Sequence, residues 1–136
     1  MAETRFATLT EGRAHFTALM DASASGRPAT VKRGDWTAAI VDADRLRHTL
    51  ARLMPANAEL LAEAGGWTVF LPGYPLAAEG SSVDDALDEM VIAMGEYAED
   101  WCSRLRLAPN HADNWGLVQL IALSDDQQLK DWLIGQ

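Results

Sequence analysis

The groups able to do chemistry in this 136-residue chain are few and scattered. Cysteine occurs once, at Cys102, between Trp101 and Ser103 in a stretch with helical periodicity. A thiol becomes a nucleophile where a cation, a metal or a helix N-terminus lowers its pKa. The sequence around Cys102 offers no such setting, so it reads as a small packing residue. A single cysteine also excludes an intrachain disulfide, which fits a reducing cytoplasm. His15 and His48 stand alone as surface or half-buried histidines. His111 and Asp113 form one His-x-Asp in a polar loop, short of the three or four ligands a metal site needs. The run Asp84, Asp85, Asp88 and Glu89 reads as a solvated helix face. No glycine-rich phosphate fingerprint occurs. These observations point away from an enzyme, a metal centre or a bound cofactor.

The basic residues say more. Residues 1–55 hold eight Lys/Arg against six Asp/Glu, a balance of +2, and residues 56–136 hold three against fourteen, a balance of −11. An acidic segment of that size repels phosphate, so any nucleic-acid contact must come from the first segment. The acidic segment suits a basic partner, or serves solubility alone. Arg13 is expected in the first turn of a helix, where the helix dipole disfavours a cation and a phosphate would reverse the sign. Lys32 and Arg33 stand together at the tip of an expected hairpin that Arg27 opens. A helix N-terminus beside a basic hairpin can read phosphates and bases. Scattered surface charge is the plainer alternative.

The elements that must position these residues follow from periodicity and punctuation. Thr4–Leu9 alternates as a short strand. Thr10 is a good N-cap for a helix to about Ala22, with Ala14, Phe16, Leu19 and Met20 near one face. Ala29-Thr30-Val31 and Thr37–Val41 read as a hairpin around the turn Lys32-Arg33-Gly34-Asp35. Asp42 caps a helix with Leu46, Leu50 and Leu53 on one stripe, and Pro55-Ala56-Asn57 marks a boundary. A second hairpin joins Leu60–Ala64 to Trp67–Leu71 through Gly65-Gly66. Leu76–Glu79 reads as a third strand. Ser81 or Ser82 caps a long helix reaching about Leu105. Trp115–Leu123 reads as a buried strand or a helix start. Ser124 and Gln127 match a capping box for a last helix, Asp125–Leu133. The fold class is α+β. No apolar run approaches the roughly 20 residues of a membrane span. MAETRFATL has no apolar h-region, so no signal peptide is expected.

Thr8–Leu53 resembles the Phd/YefM family of antitoxins. The likeness rests on Thr10-Glu11-Gly12-Arg13-Ala14, Leu19-Met20, Gly26-Arg27-Pro28, the strand Ala29–Lys32 and Ala38-Ala39-Ile40-Val41. Val31-Lys32-Arg33-Gly34 stands where that family carries I-T-R-x-G. Glu63–Trp101 resembles a HicB-type antitoxin domain through Gly66-Trp67-Thr68-Val69, Pro72-Gly73-Tyr74-Pro75, Ala78-Glu79-Gly80 and Val83–Leu87. Gly73 replaces the aspartate usual after the proline. Together the two segments resemble Phd-like antitoxins that partner RelE-type toxins.

The resemblance implies an N-terminal βαββα module over 1–55 that dimerises and binds a palindromic operator. It is followed, over 56–136, by an acidic, HicB-like, toxin-binding extension of hairpin, strand, long helix and C-terminal strand-helix. It implies a cytoplasmic autorepressor that neutralises a RelE/ParE-like toxin. Such toxins are basic ribonucleases, a fitting counterpart to a segment of −11. Arg13 matches the helix-one arginine that contacts DNA in the family, and Lys32 and Arg33 match its basic hairpin, with Arg27 beside them. Trp115, Leu117, Leu120, Leu129, Trp132 and Leu133 are the candidate toxin contacts, with core packing as the alternative for each. The other function class is a dimeric interaction protein that has lost DNA binding and only sequesters a basic partner. The extension is rich in Trp, Leu and Val and is expected to be folded before it meets a toxin, unlike the disordered tails of Phd/YefM antitoxins.

Overall fold

Thr8 lies in extended backbone, and its Oγ1 accepts the N–H of Glu11 at 3.2 Å. That cap starts helix α1 (Leu9–Ala14) two residues before the Thr10 cap expected from the sequence. The signal is the Thr8-x-x-Glu11 spacing, which places an acid in the first turn. The helix does not run unbroken to Ala22. His15 leaves helical backbone (φ −119°, ψ 31°), and α2 (Phe16–Ala24) starts anew. The His15 ring stacks on Phe6 with centroids 5.1 Å apart, which pins the break to the preceding strand. Because Thr8 is taken by the cap, β1 is only Arg5–Phe6.

The computed structural model describes residues 4–136, and the chain divides into two compact units, Met1–Leu46 and Arg47–Gln136. In the first, β1 pairs parallel with β2 (Thr30–Arg33), and β2 pairs antiparallel with β3 (Trp36–Ala39), giving the order β1-β2-β3. Arg33 sits opposite Trp36, so the turn is Gly34-Asp35 alone. Gly34 has φ +59°, as the first position of a type II′ turn requires. Lys32 and Arg33 therefore belong to β2 and not to the turn expected from sequence. Leu19 and Ala22 of α2 pack with Ala29, Phe6, Val31 and Ile40 to form this unit's core. Gly12 makes the packing of α1 on β2 possible, since a Cβ there would lie 2.7 Å from Val31 Cγ2. Asp42 Oδ2 accepts the Arg45 N–H at 3.1 Å at the start of α3 (Ala43–Leu53), as its cap role predicted.

The second unit holds an antiparallel sheet of β4 (Glu59–Glu63), β5 (Gly66–Leu71) and β6 (Leu76–Gly80), in the order β4-β5-β6. Helix α4 (Val83–Ser103) is capped by Ser82, whose Oγ accepts the Asp85 N–H at 3.1 Å. Its apolar stripe, Ala86, Met90, Met94 and Tyr97, is buried with Val69, Leu71 and Leu76 of the sheet. Two 3₁₀ turns, Leu105–Leu107 and Ala112–Asn114, lead into α5 (Trp115–Leu123) and α6 (Asp126–Ile134). The C-terminal strand-helix is thus a helix pair. Trp115–Leu123 is apolar enough that periodicity does not separate strand from helix, and five consecutive or near-consecutive positions from Gly116 to Ile121 are buried. The capping box falls one residue later than the Ser124/Gln127 match. Asp125 Oδ1 accepts from Gln128 N at 2.7 Å, and Gln128 Oε1 accepts from Asp125 N at 2.9 Å. Ser124 donates instead to the Leu120 carbonyl at 2.6 Å. Among the described residues no helix is long and apolar enough to cross a membrane.

Two glycine-to-alanine substitutions separate packing from propensity. At Gly80 a Cβ would lie 2.3 Å from the Ala86 backbone nitrogen, whereas at Gly95 it meets nothing within 4 Å. Gly80→Ala should lower the urea unfolding free energy by about 2 kcal/mol or more, and Gly95→Ala should raise it by about 0.5–1 kcal/mol. Equal effects at the two sites would mean that α4 and β6 are not held at this separation.

Candidate functional site

The four cations proposed to meet DNA lie in the first unit, in different settings. Arg13 is exposed in the last turn of α1, not the first. The dipole favours a cation there, so Arg13 does not carry the unfavourable placement expected from sequence. At the N-terminus of the six-residue α1, Thr8 takes one of the free backbone donors, the Glu11 N–H. Lys32 and Arg33 are exposed at the end of β2. Val31 meets α1, and strand alternation places Arg33 on that same face and Lys32 on the other. The structure thus brings Arg13 and Arg33 to one side of the sheet and separates Lys32 from them. Arg27 is partly buried and donates from Nε to Ser25 Oγ at 2.8 Å. A fifth cation, Arg45, donates from Nη1 to the carbonyls of Ser23 and Ala24 at 3.1 and 2.9 Å. It ties off the C-terminus of α2 and is a structural residue.

The candidate toxin contacts divide sharply. Trp115 is 52% exposed, whereas Leu117, Leu120, Leu129, Trp132 and Leu133 are buried in the core of the second unit. Trp132 also donates from Nε1 to the Met54 carbonyl at 2.9 Å, which anchors α6 to the chain entering the sheet.

The His-x-Asp loop considered for a metal is structural, whereas Cys102 is not the packing residue expected from sequence. His111 Nδ1 lies 2.9 Å from Tyr97 Oη, and that hydroxyl accepts from Asn114 Nδ2 at 2.8 Å. Trp101 Nε1 donates to the His111 carbonyl at 2.8 Å. His111 therefore knots the loop after α4 onto the helix. Among the described residues no three His, Cys, Asp or Glu side chains gather as a metal site. Cys102 is exposed.

Sequence reading passed over the concave side of the acidic run. Asp85, Asp88 and Glu89 line a groove of about 570 Å3 between α4 and β6. The stripe Asp85, Asp88/Glu89, Ile92, Glu96, at helical spacing, was the available signal. At its rim Lys130 of α6 bonds Asp88. That hydrogen bond, aided by the nearby Asp84 and Asp126 charges, raises the amine above its ordinary value of 10.5. The sign is that of a cation gaining a partner: any stabilisation is complete below 10.5 and is lost as pH rises through the folded value.

The α+β chain thus carries exposed cations on its first unit and an acidic groove on its second. The chain belongs to the family PHD_like, described as antitoxin of toxin-antitoxin, RelE / RelB, TA system, whose model matches residues 1–134. It is therefore a non-enzymatic antitoxin, and its partner is a cognate toxin. No curated protein matches it. A solved structure from Syntrophomonas wolfei subsp. wolfei, described as the antitoxin part of a candidate toxin/antitoxin system, shares the fold. The two are 22% identical with a TM-score of 0.79, covering 94% of this chain and 95% of that one.

The Tyr97 knot has a measurable cost of removal. Tyr97→Phe leaves His111 Nδ1 and Asn114 Nδ2 without their shared partner and should lower stability by about 1–3 kcal/mol in urea unfolding. A loss under about 0.5 kcal/mol would mean that water replaces the hydroxyl at no cost.

Proposed function

We propose that this antitoxin neutralises a RelE/ParE-like toxin by direct binding through its acidic extension, residues 56–136, and represses its own operon as a cytoplasmic DNA-binding homodimer through residues 1–55. In this reading the first part acts as a Phd/YefM-like module and the second as a HicB-like domain. The observation that carries it is the segregation of charge, +2 against −11. Only the first part has a sign compatible with phosphate. Arg13 and Arg33 meet the operator from one face of the sheet, Lys32 and Arg27 contribute phosphate contacts, and the toxin docks on the second part with Trp115 at the contact. Leu117, Leu120, Leu129, Trp132 and Leu133 support that surface from beneath.

A further feature supports the dimer. Helix α2 buries Leu19 and Ala22 on one side and leaves Phe16 and Met20 exposed, four residues apart on a second stripe. Placed against the same stripe of a second copy, these side chains leave water. Phe16→Glu/Met20→Glu should shift the protein from dimer to monomer in analytical ultracentrifugation while leaving its helix content intact. A monomeric wild type at tens of micromolar would remove the dimer from the proposal.

The sequestering-only alternative draws on the separation of Lys32 from Arg13 and Arg33 across the sheet, because no single face then collects all four cations. Binding to upstream DNA over a salt series decides between the two. Wild type should bind specifically, with log K falling steeply against log salt. Arg13→Ala/Lys32→Ala/Arg33→Ala should lose specific binding and flatten the slope by about 0.9 per lost phosphate contact. Toxin binding by that variant should be unchanged. No specific DNA binding by wild type at low salt, with or without toxin, would leave the sequestering protein.

A further inference from the structure

The run Asp84, Asp85, Asp88 and Glu89 reads in the sequence as a solvated helix face, and the geometry of the groove beside it says more than that. The groove is lined by four consecutive residues of β6, 77–80, and by the α4 stripe from Asp85 to Glu96. Consecutive strand residues point to opposite faces, so a groove touching all four runs along the edge of the strand and not over one face. Among the described residues β6 pairs only with β5, so its outer edge carries backbone N–H and C=O groups that no described strand bonds.

The charged side chains that line the groove are all acidic, with the Lys130 cation beside them at the rim. Glu79, Asp85, Asp88, Glu89 and Glu96 line the groove, and no Lys, Arg or His does. Ile92, 54% exposed, and Ala93 supply an apolar strip between the carboxylates. Lys130 already shows the stripe in use, since its ammonium bonds Asp88.

We infer that this groove receives an extended basic segment of the cognate toxin, which adds to the sheet beside β6 as a fourth strand. The inference rests on the reading that the chain neutralises its toxin by direct contact, and it names the surface and the chemistry of the occupant. Backbone pairing along β6 supplies affinity, and alternate side chains set specificity. Cations on one face of the added strand meet Asp85, Glu89 and Glu96 on α4, while Asp88 stays with Lys130. A cation on the other face meets Glu79, which alternates away from Ala78 and Gly80. Four residues at roughly 3.3 Å each give an edge about 13 Å long, enough for a segment of four or five residues. A second copy of this chain is the wrong occupant, because pairing β6 with itself would set these carboxylates against their own copies. Nucleic acid is excluded by the same sign.

The test uses full-length antitoxin and, as probe, the purified RelE-type toxin encoded with it. Glu89→Lys/Glu96→Lys should weaken toxin binding about tenfold or more. Glu59→Lys/Glu63→Lys, the same change in net charge placed on β4, should weaken it less than about threefold. Both variants keep the wild-type unfolding midpoint, since all four residues are exposed. In wild type, hydrogen exchange by mass spectrometry should show residues 76–80 gaining protection when toxin binds. Equal weakening by the two variants would mean that the overall charge and not the groove attracts the toxin. Unchanged exchange at 76–80 would overturn strand addition without recourse to any variant. Wild type that binds no toxin would overturn the direct-contact reading itself, and the groove with it. Binding by wild type and Glu89→Lys/Glu96→Lys alike would overturn the groove alone.

Discussion

The second unit turns on the distance between α4 and the end of β6. At Gly80 the backbone of the strand comes so close to the first turn of α4 that any side chain would enter the peptide of Asp85 and Ala86. That approach does two things. It presses Ala86, Met90 and Met94 against the sheet, where they are fully buried. It also fixes the rotation of α4, because the same helix cannot bury that stripe without turning Asp85, Glu89, Ile92 and Glu96 toward the strand edge. Core and groove are two faces of one constraint. A bulkier residue at position 80 would tilt the helix, loosen the core and open the groove together.

The first unit repeats the device on a smaller scale. Gly12 lets α1 approach Val31 within van der Waals contact, and the break at His15 lets α2 swing Leu19 and Ala22 over Ala29. With so small a core, the polar ties matter in proportion. Arg45 holds the carbonyls at the end of α2, and Thr4 Oγ1 donates to the Pro28 carbonyl. Removing either partner would leave a polar group unsatisfied in a unit with little apolar burial to offset it.

Much of this architecture was legible in the sequence. Both hairpins, the Asp42 and Ser82 caps and the stripe of α4 follow from local chemistry, although the first hairpin turns at Gly34-Asp35 alone and not across Lys32-Arg33-Gly34-Asp35. What was not legible depended on contacts distant in sequence. Thr8 and Thr10 are both competent caps, and the choice follows from Glu11 and from where β1 must stop. The break at His15 answers to Phe6 and Val31, which the helical periodicity of 10–22 does not encode. Trp115–Leu123 is so uniformly apolar that strand and helix are told apart only by what it packs on. The candidate site divided in the same way. Residue type singled out Arg13, Lys32 and Arg33, all of which are exposed. Hydrophobicity singled out Leu117, Leu120, Leu129, Trp132 and Leu133, all of which are buried, because large apolar side chains at helical spacing are what a core needs. The groove along β6 escaped notice because its carboxylates come from two elements that only the fold places side by side.

The second unit is folded around its own core, with α4, α5 and α6 capped or tied by hydrogen bonds of their own. A partner that meets such a surface does not have to order the chain it binds. Disordered segments lose ordering entropy on binding, commonly 2–5 kcal/mol or more, and that cost is absent from a preformed groove. The same rigidity limits what the surface can accept. A folded edge strand flanked by carboxylates selects by backbone geometry and by sign at once, and a segment lacking either is rejected. In the proposed strand addition the acidic charge that opposes pairing of β6 with its own copies is also what makes the edge selective.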